Sequence, residues 1–200
     1  MLFYIEEYMS NDYFVMVATS PWAGPTVEVI STPRVRTTKG KLIGETDVPF
    51  IVELVTDSRV SPTESFPPRD IHESPKFKLY SRKFINALNS LGIDNIEYLP
   101  VEVTDKKTNE RMDYCVANVL GRINALDENK SEFLFSSHGG IMDVNKMVFD
   151  NNKIQEHKVF MLGEVPMLVI VHKSIKEIVE QLGLTGFRFI SQDEYQPGDL

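Results

Sequence analysis

Cys115 is the only thiol in the chain. With a histidine brought beside it by the fold it could act as a nucleophile, since an imidazole base converts a thiol to the reactive thiolate. The four histidines, His72, His138, His157 and His172, lie far apart in sequence and form no HExxH or other short metal-ligating spacing. No metal site and no cofactor site is therefore expected. The string Phe133-Leu-Phe-Ser-Ser-His138-Gly139-Gly140 could help to build an oxyanion hole, because a His-Gly-Gly turn after an apolar strand does so in esterase-like folds. The nucleophile elbow that must accompany it, Gly-x-Ser-x-Gly, does not occur, and neither does a phosphate-cradling GxxxxGK[ST] or GxGxxG loop. A glycine turn beside an exposed histidine is the simpler account of that string. Without a catalytic set, the sequence reads as that of a protein that binds rather than one that catalyses. A small hydrolase using Cys115, or a loop carboxylate, with a histidine is the alternative.

Composition bounds what could be bound. The chain has 21 basic against 29 acidic residues, a formal charge of −8, and neither half is basic: 10 against 13 in residues 1–100, and 11 against 16 in residues 101–200. Nucleic acid and anionic lipid demand the opposite sign, so neither is an expected partner, whereas a protein with a basic surface is favoured. Acids carried on turns are presented outward and move little. Asp127, Glu128 and Asp150 are the candidate partner-binding residues on this ground, since each lies in a turn beside a predicted apolar strand. Carboxylates at such positions also cap and solvate the backbone. Trp22, with Pro21 and Pro25, could form an aromatic knob for an interface or plug the end of a core.

A single cysteine permits no intramolecular disulfide, and the N-terminus lacks a basic segment and meets Glu6 and Glu7 before any signal-length apolar run. The most apolar stretch, Met167 to Val171, is far too short to cross a bilayer. A soluble cytoplasmic protein is expected.

The elements that must position these residues follow from periodicity. Leu2–Tyr8, Tyr13–Ala18, Thr26–Ile30 and Val48–Val55 read as strands of a β-meander separated by turn residues. Residues 57–75 are polar and proline-rich and read as a long loop or hinge. Ser81 is placed to cap a helix bearing Phe84, Ile85, Leu88 and Leu91 on one face and stopped by Gly92. Ile96–Val103 follows as a strand whose apolar phase slips at Pro100, as at an edge or bulge. Met112–Leu120 reads as a central strand, with shorter ones at Glu132–Phe135, Lys146–Phe149, Lys158–Leu162, Met167–His172 and Phe187–Phe189. A second helix opens at Ser174, where Ser-x-x-Glu177 fits a capping box, and Ile175, Ile178, Val179 and Leu182 form its face. Residues 193–200 read as a frayed acidic tail. The two strand-helix-strand units resemble each other, each ending its helix in Leu-Gly before a strand. So short a match is what generic helix capping alone would produce. The expected fold class is α+β, strand-rich, with mostly antiparallel sheets and two short packed helices. It forms one domain over residues 1–200, with a β-rich part (1–56) and an α+β part (76–191) as possible sub-lobes joined by the loop 57–75.

Several strings together carry a family resemblance. They are Leu79-Tyr-Ser-Arg-Lys-Phe-Ile-Asn-Ala-Leu-Asn-Ser-Leu-Gly-Ile93 leading to Ile96-Glu-Tyr98-Leu-Pro-Val101, then Tyr114-Cys-Val-Ala-Asn118-Val-Leu, Ala125-Leu-Asp127, Lys130-Ser131 and Met147-Val-Phe-Asp150. His157-Lys-Val-Phe160, Val169-Ile-Val and Leu182-Gly-Leu-Thr-Gly186-Phe-Arg-Phe189 complete the order. In these strings residues 75–191 resemble a bacterial family first known only as a domain of unknown function and later grouped with the immunity proteins of polymorphic toxin systems. The resemblance implies a small cytoplasmic protein that binds and neutralises a cognate toxin, and it implies no catalytic residue. A scaffold protein of a secretion apparatus is a third reading.

Overall fold

A computed structural model describes residues 12–19, 25–55 and 68–199. The predicted strand at 2–8, Trp22, and residues 57–67 of the predicted loop lie outside the described residues. The fold is α+β and strand-rich. Its strands are β1 (Tyr13–Ala18), β2 (Thr26–Ser31), β3 (Phe50–Val55), β4 (Ile71–Glu73), β5 (Lys78–Ser81), β6 (Ile96–Asp105), β7 (Arg111–Met112), β8 (Tyr114–Val119), β9 (Arg122–Ile123), β10 (Glu132–Phe135), β11 (Ile141–Lys146), β12 (Val159–Leu162), β13 (Val169–His172) and β14 (Phe187–Ser191). Helices α1 (Arg82–Ser90), α2 (Asn151–Ile154) and α3 (Lys173–Gln181) are interspersed. Among the described residues no helix is long and apolar enough to cross a membrane.

The strands form a seven-stranded sheet (β2-β3-β6-β8-β5-β4, with β7 on β6), a five-stranded sheet (β14-β1-β13-β12-β9) and the separate hairpin β10-β11. Both large sheets are mixed, because β3 runs parallel to β6 and β9 parallel to β12. The expectation of mostly antiparallel sheets is corrected on this point. The meander is corrected too: β1 leaves β2 and β3 to insert between β13 and β14, from the far end of the chain. Its central residues Val15, Met16 and Val17 are buried, and a strand buried on both faces joins whichever sheet covers it.

Helix α1 begins as its sequence dictates, with the Ser81 hydroxyl accepting from Phe84 N–H (3.2 Å) and Gly92 taking the left-handed conformation (φ 71°) after its end. Helix α3 starts earlier than the Ser174 capping box predicts. His172 is the cap, its ring Nδ1 accepting from Ser174 N–H (3.3 Å), so an imidazole nitrogen does the work expected of a hydroxyl. The short helix α2 was not predicted, although Asp150 caps it through Asn152 N–H (3.0 Å).

The two units match residue for residue. Strand β5, helix α1 and strand β6 begin at 78, 82 and 96, and β13, α3 and β14 begin at 169, 173 and 187, each 91 positions later. The pairing agrees as well. Tyr80 and Tyr98 lie opposite Cys115 and Ala117 of β8, as Val171 and Phe189 lie opposite Phe14 and Met16 of β1. Generic capping explains a glycine after each helix but not a register shared by three strands in each unit, so the resemblance between the units is structural. In one unit the central strand follows the helix-strand pair in sequence (β8); in the other it comes from the start of the chain (β1). Equivalent residues meet in one central core: Phe84 and Ile175, Leu88 and Val179, Ile93 and Leu184, Ile96 and Phe187. A second core lies beneath residues 125–154 on the opposite face of the five-stranded sheet, and a third on the opposite face of the seven-stranded sheet.

Candidate partner-binding surface

Residues 125–150 form one module whose base is hydrogen-bonded. Leu126 bridges Phe149, Asp127 N–H donates to Val148 C=O and Asp150 N–H to Ala125 C=O, both at 2.8 Å. The Ser131 hydroxyl both donates to Val148 C=O (3.2 Å) and accepts from Val148 N–H (3.1 Å). The strand predicted at Lys146–Phe149 is therefore corrected: the pairing strand is β11, ending at Lys146, and the residues after it clamp the base through single hydrogen bonds. The segment at 193–199 is not frayed. Tyr195 is buried and its hydroxyl donates to Asp143 (2.7 Å), which also accepts from Gly198 N–H (3.2 Å). Burial first, and then Asp143, pushes the Tyr195 phenol up.

Asp127, Glu128 and Asp150 meet at this base. The Asp127 carboxylate accepts from Asn129 N–H (3.0 Å) and pairs with Lys130 (3.3 Å). Those bonds hold it below the usual carboxylate range, the Asn129 N–H contributing most. Asp150 is the cap of α2. Glu128 is the most exposed of the three, its side chain 78% accessible and 3.8 Å from the Lys153 ammonium. Two of the acids thus have local backbone roles, and Glu128 alone is held only by a loose ion pair.

From this base the hairpin carries apolar side chains away from the core. Phe133 and Val144 pack inward, while Phe135 (61% exposed), Met142 (63%) and Ile141 (37%) stand out at its end. Three of the eight large apolar side chains exposed among the described residues are therefore on one hairpin. Exposed apolar groups gathered in one place mark interaction surfaces, whereas scattered ones do not. His138 sits in the connecting turn, where Gly139 N–H donates to Ser136 C=O (3.0 Å) and the histidine's nearest side-chain partner is Ser137 (3.2 Å). The turn reading of the His-Gly-Gly string therefore accounts for its geometry. Ten consecutive residues, Phe133 to Met142, carry no Asp, Glu, Lys or Arg in a chain that is 25% charged. That run was legible in the sequence as a gap in charge.

Cys115 is buried in β8 with Arg82 Nη2 at 3.7 Å. Burial raises its pKa, and the nearby Arg82 only partly opposes this. An activated thiol needs the reverse shift. Among the described residues no group of three or more His, Cys, Asp or Glu is arranged to hold a metal ion.

The comparison with protein families gives one match. The model of the immunity protein family Imm11 matches residues 23–194, which brings in β2 and β3 along with the region that resembled such proteins in sequence. No curated protein matches the chain.

Proposed function

The chain belongs to the Imm11 immunity protein family, and on that premise we propose that it binds and neutralises a cognate bacterial toxin by forming a protein–protein complex in the cytoplasm of the cell that makes both. The apolar end of the β10–β11 hairpin is the centre of the contact, and Asp127, Glu128 and Asp150 at its base are the acidic flank. The family match supports the function. The cluster of Phe135, Ile141 and Met142 supports the location, since interface energy concentrates in a few desolvated apolar and aromatic groups inside a polar rim. A rigid base favours the same assignment, because a side chain already held in place loses little freedom on binding. The acidic flank suits a toxin with a basic cleft, such as one that handles an anionic substrate, and raises the rate of encounter.

No chemical step is required of the chain. Occlusion of the toxin suffices, and the raised pKa of the buried Cys115 supports binding over a thiol mechanism. Co-expression with the toxin encoded beside it tests the function: cells making the protein should survive the toxin. Death of cells that hold abundant soluble protein and its true neighbour would contradict it.

A further inference from the structure

The seven-stranded sheet carries a second surface unrelated to the hairpin. Strand β6 is longer than its neighbour β3, and their parallel pairing starts only at Phe50 opposite Val101. Pro100 thus falls where the outer side of β6 is still unpaired by β3, which accommodates a residue with no N–H. Between this free stretch and the loop before β3 opens a cleft of about 670 Å3. Pro49, Leu99 and Val101 supply apolar wall, Glu45, Glu97 and Glu102 supply carboxylates, and no basic residue lines it. Leu42 and Val48, exposed to 72% and 43%, belong to the same loop.

Glu97 is fixed in an unusual way. Its Oε2 accepts from Ile43 N–H (2.9 Å) and from the fully buried Asn118 amide (2.7 Å), and its Oε1 from Gly44 N–H (2.7 Å). Burial pushes the carboxyl up, but these bonds outweigh it and hold the group below its usual range. All three donors are neutral. They orient the carboxylate and keep it ionised without cancelling its charge, and among the described residues no basic side chain pairs with it. Glu102 has only the exposed Arg111 at 4.0 Å.

We propose that this cleft is a docking site for a lysine side chain of a partner polypeptide, whose apolar stem lies on Pro49 and Val101 and whose ammonium meets Glu97. The head group follows from the lone pairs that remain. Two donors fill Oε2 and one occupies Oε1, leaving a single acceptor site, which suits the independently directed N–H bonds of an ammonium better than the two-pronged fork of a guanidinium. The exposed Leu42 and Val48 provide for apolar residues beside the lysine, which a free amine lacks.

The test is a titration of the full chain with a capped Leu-Lys-Leu peptide, its Nζ-acetylated form and butylamine, followed by the amide resonances of Glu45, Glu97, Leu99 and Val101. The lysine peptide should move these resonances and bind at least about tenfold more tightly than the acetylated peptide, because acetylation removes the charge. Glu97→Gln should abolish the response. If that change also loosens the loop, the double variant Glu45→Gln/Glu102→Gln, which leaves the three bonds to Glu97 intact, should still weaken it. Equal binding of the acetylated peptide, or no weakening in the double variant, overturns the site. Butylamine binding as tightly as the lysine peptide overturns the polypeptide as its occupant.

Discussion

His72 ties stability to pH through a single ring. It is 3% exposed, its Nε2 accepts from Arg69 N–H (3.3 Å), and it packs edge-on to Tyr114. Burial, and then the Arg69 charge, lowers its pKa to about 4. The folded protein therefore holds this imidazole neutral while the unfolded chain takes up a proton below about 6.5, so stability is full above that pH and falls as the pH drops towards 4. The loss over the whole window is at most about 3 kcal/mol. Urea midpoints at pH 7, 6 and 5 should fall stepwise, and the fall should flatten in His72→Gln; an equally steep fall in the variant would place the proton elsewhere. Packing makes a second contrast. Leu88 is buried in the central core, so Leu88→Ala should cost about 2–5 kcal/mol. The sequence assigned Ile178 the same status, but Ile178 is half-buried and Leu182 is 54% exposed, the buried partner being Val179. Ile178→Ala should therefore cost well under the Leu88 value, and equal urea midpoints for the two variants would count against this packing. At the proposed interface, Glu128→Lys reverses a charge without disturbing the turn that Asp127 caps. It should slow association with the toxin and weaken the dependence of that rate on salt; a rate indifferent to both would mean that charge does not steer the encounter.

At the scale of elements, the sequence revealed what local chemistry decides. Strands β1 and β10 fall where alternation placed them, and α1 starts at the serine that caps it. It misplaced what distant contacts decide. Alternation in Tyr13–Ala18 announces a strand but not the sheet that receives it, and β4, three residues long inside a proline-rich stretch, is a strand because β5 is beside it. Asp127, Glu128 and Asp150 were legible as turn acids, and their gathering at one base depends on the bridge between Leu126 and Phe149, which no local pattern encodes. The repeat gives this scale its prediction. Gly92 and Gly183 both take the left-handed conformation after equivalent helices, with φ of 71° and 61°, and neither has a neighbouring atom within 4 Å of an added Cβ. Alanine at either should therefore cost backbone strain alone, about 1–2 kcal/mol, similar at both sites and additive in the double variant. Thermal unfolding of the three variants measures this; a cost at one site only would show that the equivalence of the units does not extend to their helix ends.

For the whole molecule, β1 lies inside a sheet whose other strands come from residues 122–191, while β2 and β3 extend the seven-stranded sheet. Both sheets share the central core with both long helices. We propose that the chain therefore unfolds as one cooperative unit rather than as two sub-lobes, which coincident far-UV and near-UV transitions would support. The same architecture leaves the β10–β11 hairpin outside both sheets while anchoring its base, so an apolar surface is displayed on a rigid support. The affinity of the purified protein for the toxin encoded beside it tests this most directly, compared between the wild type and Phe135→Ser/Met142→Ser. Both positions are exposed, so folding should be preserved. The affinity should fall about a hundredfold or more, as expected for two anchors near the centre of an interface. Unchanged affinity in a variant with unchanged stability would place the toxin on another face.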